Sequence, residues 1–143
     1  MEAIREALKA KAKGEVPIGC VIVKNNKIIS RAHNLKESMR MASAHAEMLA
    51  IDKACVNLNG WRLTGCDLYV TIEPCAMCAG LIYQSRIKRL IFGAYDVRGG
   101  ACGGLFNILS NKALNHQVYV SSNVLEAYCN NVLVSFFNER RAK

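Results

Sequence analysis

The sequence predicts an α/β fold, a three-layer α/β/α arrangement in which one mixed sheet of about five strands carries helices on both faces. Segments with helical periodicity alternate with short apolar, β-branched segments, and the chain opens on a helix followed by a hairpin. Its 143 residues, 52% of them hydrophobic, suffice for one compact core. No repeat, linker or low-complexity segment divides the sequence, so residues 1–143 are predicted to form a single domain.

The first predicted elements are a helix and a β-hairpin. Residues 2–13 place apolar side chains about one helical turn apart and precede Gly14, which is typical of an amphipathic helix and its end. Two β-branched segments, residues 16–23 and 27–32, flank the turn-forming pair Asn25-Asn26. This pattern predicts two antiparallel strands.

The next predicted elements are a loop and a second helix. Residues 34–42 are polar and are expected to form the loop. Ser43 is expected to cap a helix that ends near Asn57. The buried face of this helix is expected to consist of Met48, Leu49, Ile51 and Cys55.

The second half of the chain continues the alternation of strands and helices. Residues 68–72 form an apolar run typical of a strand covered on both faces, and Pro74 ends it. A helix is predicted over residues 75–85 and a strand over residues 87–94. The remaining predictions are a glycine-rich connection or lid at 99–104, a short helical turn at 105–109, a strand at 117–121 and a last helix over 123–140.

Composition restricts the class of protein. Seven cysteines, an odd number, without a signal-peptide pattern indicate reduced thiols in the cytoplasm rather than a disulfide framework. The sequence has no apolar run of membrane-spanning length, so no membrane partner is expected.

The charge balance leaves two interpretations open. Nineteen basic and 11 acidic residues give a net charge of +8, which suits either a polyanionic partner or simple solubility. Basic residues cluster in three places, and each cluster is either a solvated face or a set of phosphate contacts: Lys9, Lys11 and Lys13; Arg86, Lys88 and Arg89; Arg140, Arg141 and Lys143.

Two short motifs carry the predicted chemistry, His45-Ala46-Glu47 and Pro74-Cys75-Ala76-Met77-Cys78. Cys75 and Cys78 are three residues apart in the first turn of a helix, so both thiols fall on one face near the positive helix end. With His45 as a third ligand they form a Cys2His zinc site, which leaves one tetrahedral position open and is therefore typical of catalysis. The carboxylate of Glu47 is then available to move protons during hydrolytic deamination.

A structural zinc site is the alternative interpretation of these motifs. It needs a fourth protein ligand, which the sequence offers at His33, His116 or another cysteine. A Cys-x-x-Cys pair by itself also suits a redox site.

The sequence resembles the bacterial tRNA-specific adenosine deaminases of the cytidine and deoxycytidylate deaminase superfamily, whose signature combines His-x-Glu with Pro-Cys-x-x-Cys. The resemblance extends over nearly the whole chain. It includes residues 14–19, Asn34, 44–47, 68–80, 85–87, 92–94, Asp96, 115–116 and 136–137.

The resemblance implies a cytidine deaminase-like fold and a homodimer with one Zn²⁺ per subunit, bound by His45, Cys75 and Cys78, with no organic cofactor. It also implies that Glu47 shuttles protons while the wobble adenosine of a tRNA anticodon stem-loop becomes inosine. The RNA contacts implied are Asn34, Ala46, Asp96, Asn115 and Phe137. Ordinary structural roles suit several of these positions equally well, a turn at Asn34 and at Asn115, a loop cap at Asp96 and core packing at Phe137.

Two other functions remain open from the sequence. One is a deaminase of a free base or nucleoside, of guanine or cytosine type, because the same chemistry attacks any amino-bearing heteroaromatic carbon. The other is a non-catalytic zinc module that binds RNA.

Overall fold

The computed structural model describes residues 1–142, so the basic residue Lys143 lies outside the described part of the chain. The elements follow one another as α1 (Glu2–Ala12), β1 (Gly19–Lys24), β2 (Lys27–His33), α2 (Lys36–Met39), α3 (Ala46–Asn57), β3 (Asp67–Ile72), α4 (Ala76–Gln84), β4 (Arg89–Ala94), β5 (Tyr119–Ser121) and α5 (Glu126–Arg141). Within residues 1–142, no helix has the length and the apolar character needed to cross a membrane.

The five strands form one mixed sheet in the order β2-β1-β3-β4-β5. β1 is antiparallel to both of its neighbours, whereas β3, β4 and β5 run parallel. Helices α3 and α4 cover one face of the sheet, and α1 and α5 cover the other. The predicted three-layer α/β/α fold with a five-stranded mixed sheet is therefore confirmed.

The predicted hairpin is present, but its first strand is shorter than expected. Asn25 and Asn26 both have positive φ, 51° and 63°, as a two-residue type I′ turn requires. β1 begins at Gly19 rather than at Val16. Pro17 lies between these positions and has no N–H to donate to a neighbouring strand.

Helix α3 differs from the prediction at its start and on its buried face. The helix begins at Ala46 with His45 in the N-cap position, so the prediction that Ser43 caps it is wrong. Residues 41–44 close a turn of their own instead, through a bond from the Ala44 N–H to the Met41 carbonyl.

The buried face of α3 is largely alanine. Its fully buried apolar residues are Ala46, Ala50, Ile51 and Ala54, whereas three of the four residues predicted to form this face, Met48, Leu49 and Cys55, are half-buried. Small side chains let the α3 backbone approach the sheet closely, which a count of large apolar residues along the sequence does not anticipate.

Two secondary-structure predictions are wrong, one for a loop and one for a helical turn. The segment 34–42 contains the short helix α2, whereas residues 105–109 form no helix within the described chain. Both differences come from contacts between residues distant in the sequence. The buried carboxylate of Glu15 accepts the N–H groups of Glu37 and Ser38 in α2. The buried carboxylate of Glu73 accepts the N–H of Gly104, directly before residues 105–109.

Candidate active site

The N-termini of α3 and α4 meet at one end of the sheet and bring the three predicted zinc ligands together. His45 occupies the N-cap of α3, Cys75 occupies the N-cap of α4, and Cys78 follows one turn later. His45 Nδ1 lies 3.7 Å from Cys75 Sγ and 3.6 Å from Cys78 Sγ. Among residues 1–142, no other group of three or more histidine, cysteine or acidic side chains has ligand atoms as close together.

These distances fit a tetrahedral zinc ion. Ligand bonds of about 2.0–2.1 Å to nitrogen and about 2.3 Å to sulfur place the two ligand atoms about 3.6 Å apart in tetrahedral geometry. The donor set therefore suits one Zn²⁺.

The structure provides no fourth ligand from the two histidines that the sequence offered. His33 interacts with Glu6 at 3.0 Å and with Lys13 at 2.9 Å, and His116 interacts with the Ile87 carbonyl at 2.7 Å. Three protein ligands leave one coordination position open, which is the arrangement of a catalytic rather than a structural site.

Electrostatics favour metal binding by the two sulfurs. The hydrogen bond between the two cysteines, with His45 alongside, lowers the pKa of Cys75 to about 3. The same hydrogen bond together with burial raises the pKa of the Cys78 thiol, because a second negative charge is unfavourable there. The bond to Cys75 also raises the pKa of His45. A divalent cation between these groups relieves the repulsion between the two thiolates.

Glu47 lies beside this cluster, in the first turn of α3, and is only 4% exposed. Burial raises the pKa of Glu47 to about 7. A carboxyl group with this pKa both accepts and donates protons near neutral pH, which is what a proton shuttle requires. The structure therefore places Glu47, the predicted proton shuttle, next to the three predicted zinc ligands.

Sequence reasoning missed another buried carboxylate, Glu73, which lies between β3 and α4 and is 4% exposed. It accepts backbone hydrogen bonds from Asp96, Cys102 and Gly104. The glycine-rich loop, expected to be a flexible connection or lid, is instead bonded to this side chain. The sequence signal was an acidic residue at the end of a buried strand, followed later by several glycines.

Two of the five implied RNA contacts lie close to α3. Ala46 is fully buried at its start, and Asn34 is 6% exposed. The Asn34 amide donates to the Val16 carbonyl at 3.2 Å, and its oxygen accepts from the Lys36 N–H at 3.1 Å. Asn34 therefore has the turn role that the sequence allowed. The next residue, Leu35, donates its N–H to the carbonyl of Ala44, the residue before His45.

The other three implied contacts lie in different places. Asp96 accepts from the N–H groups of Arg98 and Gly99, so it caps its own loop. Asn115 lines a separate cavity with Trp61 and other residues, none of which belongs to the zinc cluster. Phe137 is 40% exposed and is therefore not core.

Phe137 borders a groove between α5 and the segment before β1. The groove is lined by Gly14, Val16, Glu37, Phe136, Phe137, Arg140 and Arg141. Arg140 stacks over the Phe136 ring at 5.2 Å and donates to the Gly14 carbonyl at 2.9 Å. Aromatic and guanidinium groups in one groove suit stacked bases and phosphates.

Ion pairs account for part of the other two basic clusters. Lys9 pairs with Glu6, Lys11 pairs with Glu139, and Arg89 pairs with Asp67. These three residues fit solvated faces better than phosphate contacts.

Comparison with known proteins assigns the family. The model of the cytidine and deoxycytidylate deaminase zinc-binding region matches residues 1–94. A tRNA-specific adenosine deaminase of Bacillus subtilis strain 168 is 55% identical over 142 residues, 99% of this chain and 88% of the relative. The chain belongs to the tRNA-specific adenosine deaminase family.

Solved structures agree with this family. A structure from a study of A-to-I editing by tRNA A34 deaminases superposes with a TM-score of 0.88 at 40% identity, covering 92% of this chain and 95% of that one. A guanine deaminase from Bacillus subtilis superposes with a TM-score of 0.65 at 29% identity, over 99% and 90% of the two chains. The chain thus also shares its fold with a guanine deaminase.

Proposed function

We propose that this chain is a zinc-dependent hydrolase that converts adenosine to inosine at the wobble position of a tRNA anticodon, in the cytoplasm. The proposal depends most on one observation, the three-ligand cluster with the buried carboxyl group of Glu47 beside it. The 55% identity to a tRNA-specific adenosine deaminase supports the choice of substrate. Seven cysteines without a disulfide suit a reducing compartment.

The reaction replaces the amino group at C6 of adenine by oxygen from water. Zn²⁺ held by His45, Cys75 and Cys78 supplies Lewis acidity that makes water a nucleophile near neutral pH. Glu47 takes a proton from the attacking water and delivers it to the ring nitrogen next to C6. It then carries the proton of the new hydroxyl group to the departing amino group, so that the C–N bond breaks and ammonia leaves.

Access to this buried carboxyl group requires that the adenosine leave its stack in the anticodon loop and enter the pocket. Asn34 and Ala46 are the residues we assign to the pocket wall around the base. Phe137 and Arg141, on the groove beside α5, then contact the neighbouring nucleotides, and Val16 connects the two regions because it lines the groove and bonds to Asn34. Asp96 is assigned to the anticodon loop, as the resemblance implies. Asn115, which lines a separate cavity with Trp61, stays a predicted contact.

The test is inosine formation in an anticodon stem-loop by the wild type and by Glu47→Gln. The amide has the size of the acid but cannot move protons, so kcat should fall by about 10²–10⁴-fold or more while each chain still binds one zinc. Glu126→Gln, which removes an exposed carboxylate on α5, is the matched control and should keep full activity. Loss of zinc in Glu47→Gln would contradict its role, because a shuttle is not a ligand.

A free-base deaminase is the second candidate, favoured by the shared fold with guanine deaminase. Parallel assays with the stem-loop, adenosine and guanine separate the two. Faster turnover of free guanine than of the stem-loop would refute the tRNA assignment.

We also propose that the active form is a homodimer, as the resemblance implies. Large apolar side chains on the α3–α4 layer face solvent in the single chain, including Val56, which is 79% exposed, and Met77, which is 39% exposed. Sedimentation equilibrium should give twice the chain mass of 15.8 kDa. A concentration-independent single-chain mass would contradict the dimer.

A further inference from the structure

The Glu73 carboxylate is the hydrogen-bond centre of the loop formed by residues 96–104. One oxygen accepts the Asp96 N–H at 2.8 Å, and the other accepts the N–H groups of Cys102 at 2.8 Å and Gly104 at 2.7 Å. Three N–H donors from one loop therefore converge on a single side chain that is 4% exposed. A buried acceptor of this kind fixes the loop, because each N–H would otherwise lack a partner.

Two glycines make this approach possible. An ideal Cβ at Gly100 or at Gly104 would lie 2.2 Å from Glu73 Oε1 and 2.5 Å from the Asp96 carbonyl oxygen. Real side chains do not tolerate such distances, so the loop backbone and the carboxylate are packed directly on each other. At Gly99, in the same loop, the nearest atom to a Cβ is Asp96 Oδ2 at 3.6 Å, which is ordinary contact.

The same loop is hydrogen-bonded to the segment that leads into α4. Gly100 forms an antiparallel bridge with Cys75, and the Ala101 N–H donates to the Pro74 carbonyl at 2.8 Å. The loop also begins at Asp96, one of the residues assigned above to the anticodon loop. Glu73 thus links the backbone at a metal ligand to a segment expected to meet RNA.

We propose that Glu73 is a positioning residue for the deaminase, whose carboxylate holds the 96–104 loop in the conformation that receives the RNA substrate. This inference rests on the proposed function, because the substrate is the anticodon stem-loop. Glu73 itself transfers no proton and contacts no base. It acts through the backbone of Asp96, Cys102 and Gly104.

Glu73→Gln tests the proposal on the zinc-loaded enzyme. Glutamine keeps one acceptor oxygen but turns an NH₂ group toward backbone N–H donors, so at least one of the three bonds is lost. We expect KM for the stem-loop to rise about tenfold with a smaller change in kcat, since misplacement of the loop weakens RNA binding rather than proton transfer. We also expect hydrogen exchange at the Asp96, Cys102 and Gly104 amides to accelerate about tenfold or more.

The glycines provide a matched pair of variants that leaves Glu73 in place. Gly104→Ala pushes a methyl group into the carboxylate and should reproduce the raised KM and the faster exchange. Gly99→Ala changes the same loop by the same methyl group without that collision and should leave hydrogen exchange at the three amides at its wild-type rate. If Glu73→Gln does not fold, this pair decides the question.

Unchanged amide exchange in Glu73→Gln, or an unchanged KM accompanied by a fall in thermal stability alone, would overturn the positioning role. Equal effects of Gly99→Ala and Gly104→Ala would overturn it as well. Failure of the proposed function has a different signature, because the wild type would then form no inosine in RNA while exchange at the three amides would still respond to Glu73→Gln.

Discussion

Replacement of Glu15 by glutamine should destabilise the protein even though this residue lies in a loop. The carboxylate is 1% exposed and accepts three hydrogen bonds. These come from the Glu37 N–H at 3.0 Å and from the Ser38 N–H and hydroxyl, both at 2.6 Å. Together they hold α2 beside Asn34 and thus support one wall of the active site.

The magnitude follows from what glutamine can replace. A hydrogen bond to a charged group contributes about 1.5–3 kcal/mol, and a buried donor left without a partner costs about 1–3 kcal/mol. The glutamine oxygen keeps up to two of the three bonds, but its NH₂ group faces a donor. We therefore expect a loss of about 2–4 kcal/mol in the free energy of unfolding, which lowers Tm by roughly 8–15 °C for a chain of this size.

The effect should depend on pH in a defined direction. Burial by itself would raise the pKa of Glu15, but the hydrogen bonds from Ser38 and Glu37 outweigh it and lower the pKa below its ordinary value of 4.5. A carboxyl group with a lowered folded-state pKa stabilises fully above the unfolded-state pKa and loses that contribution as pH falls through the folded-state pKa. The stability difference between wild type and Glu15→Gln should therefore be constant near neutral pH and shrink below about pH 4.5.

The assay is denaturant unfolding at fixed zinc concentration, at pH 7 and at steps down to pH 3. The zinc concentration must be fixed because bound metal adds to apparent stability. Glu126→Gln, an exposed acid on α5, is the control and should change the free energy of unfolding by less than about 0.5 kcal/mol. A loss no larger than this in Glu15→Gln at pH 7, or a loss that does not vary with pH, would refute the reasoning.

Three further predictions concern packing, metal and RNA. Gly19→Ala should lower the free energy of unfolding, measured by chemical denaturation, by about 2–4 kcal/mol, because its Cβ would lie 2.0 Å from a backbone oxygen of α1. Gly60→Ala is the control and should be neutral, since no atom lies within 4 Å of its Cβ. Equal stabilities would contradict the close approach. His45→Ala should lose both zinc, measured by atomic absorption, and inosine formation; retained stoichiometric zinc would refute its role as a ligand. The logarithm of the RNA association constant should fall linearly with the logarithm of the salt concentration. The slope should decrease in magnitude by about 0.7 in Arg141→Ala and stay unchanged in Arg89→Ala. A flat dependence would indicate that the positive charge serves solubility alone.

Local patterns were sufficient for much of this fold. The Asn25-Asn26 pair fixed the hairpin turn, since both residues tolerate positive φ. Pro74 marked the end of β3 and the start of α4, because proline cannot continue a strand ladder but suits a helix start. The same approach failed for the buried face of α3, where alanines close to the sheet replace the larger side chains expected.

The candidate site shows the same division. The spacing of Cys75 and Cys78 predicts that their thiols share a face, because three residues make nearly one helical turn. The sequence does not show which N–H groups Glu73 and Glu15 bind, since these groups lie 22 to 31 positions away in the chain.

The sequence by itself predicted the five strands and the helices α1, α3, α4 and α5, and it supplied His45, Cys75 and Cys78 as candidate zinc ligands and Glu47 as the candidate proton shuttle. These predictions depend on residue type and on spacing within one or two turns. Only the tertiary structure decided that His33 and His116 have other partners, that Asn115 lines a cavity with Trp61, and that the glycine-rich loop is held by a buried carboxylate. The physical reason is that a side chain's partners are set by which segments the sheet brings together, and burial then makes every unpaired donor or acceptor costly.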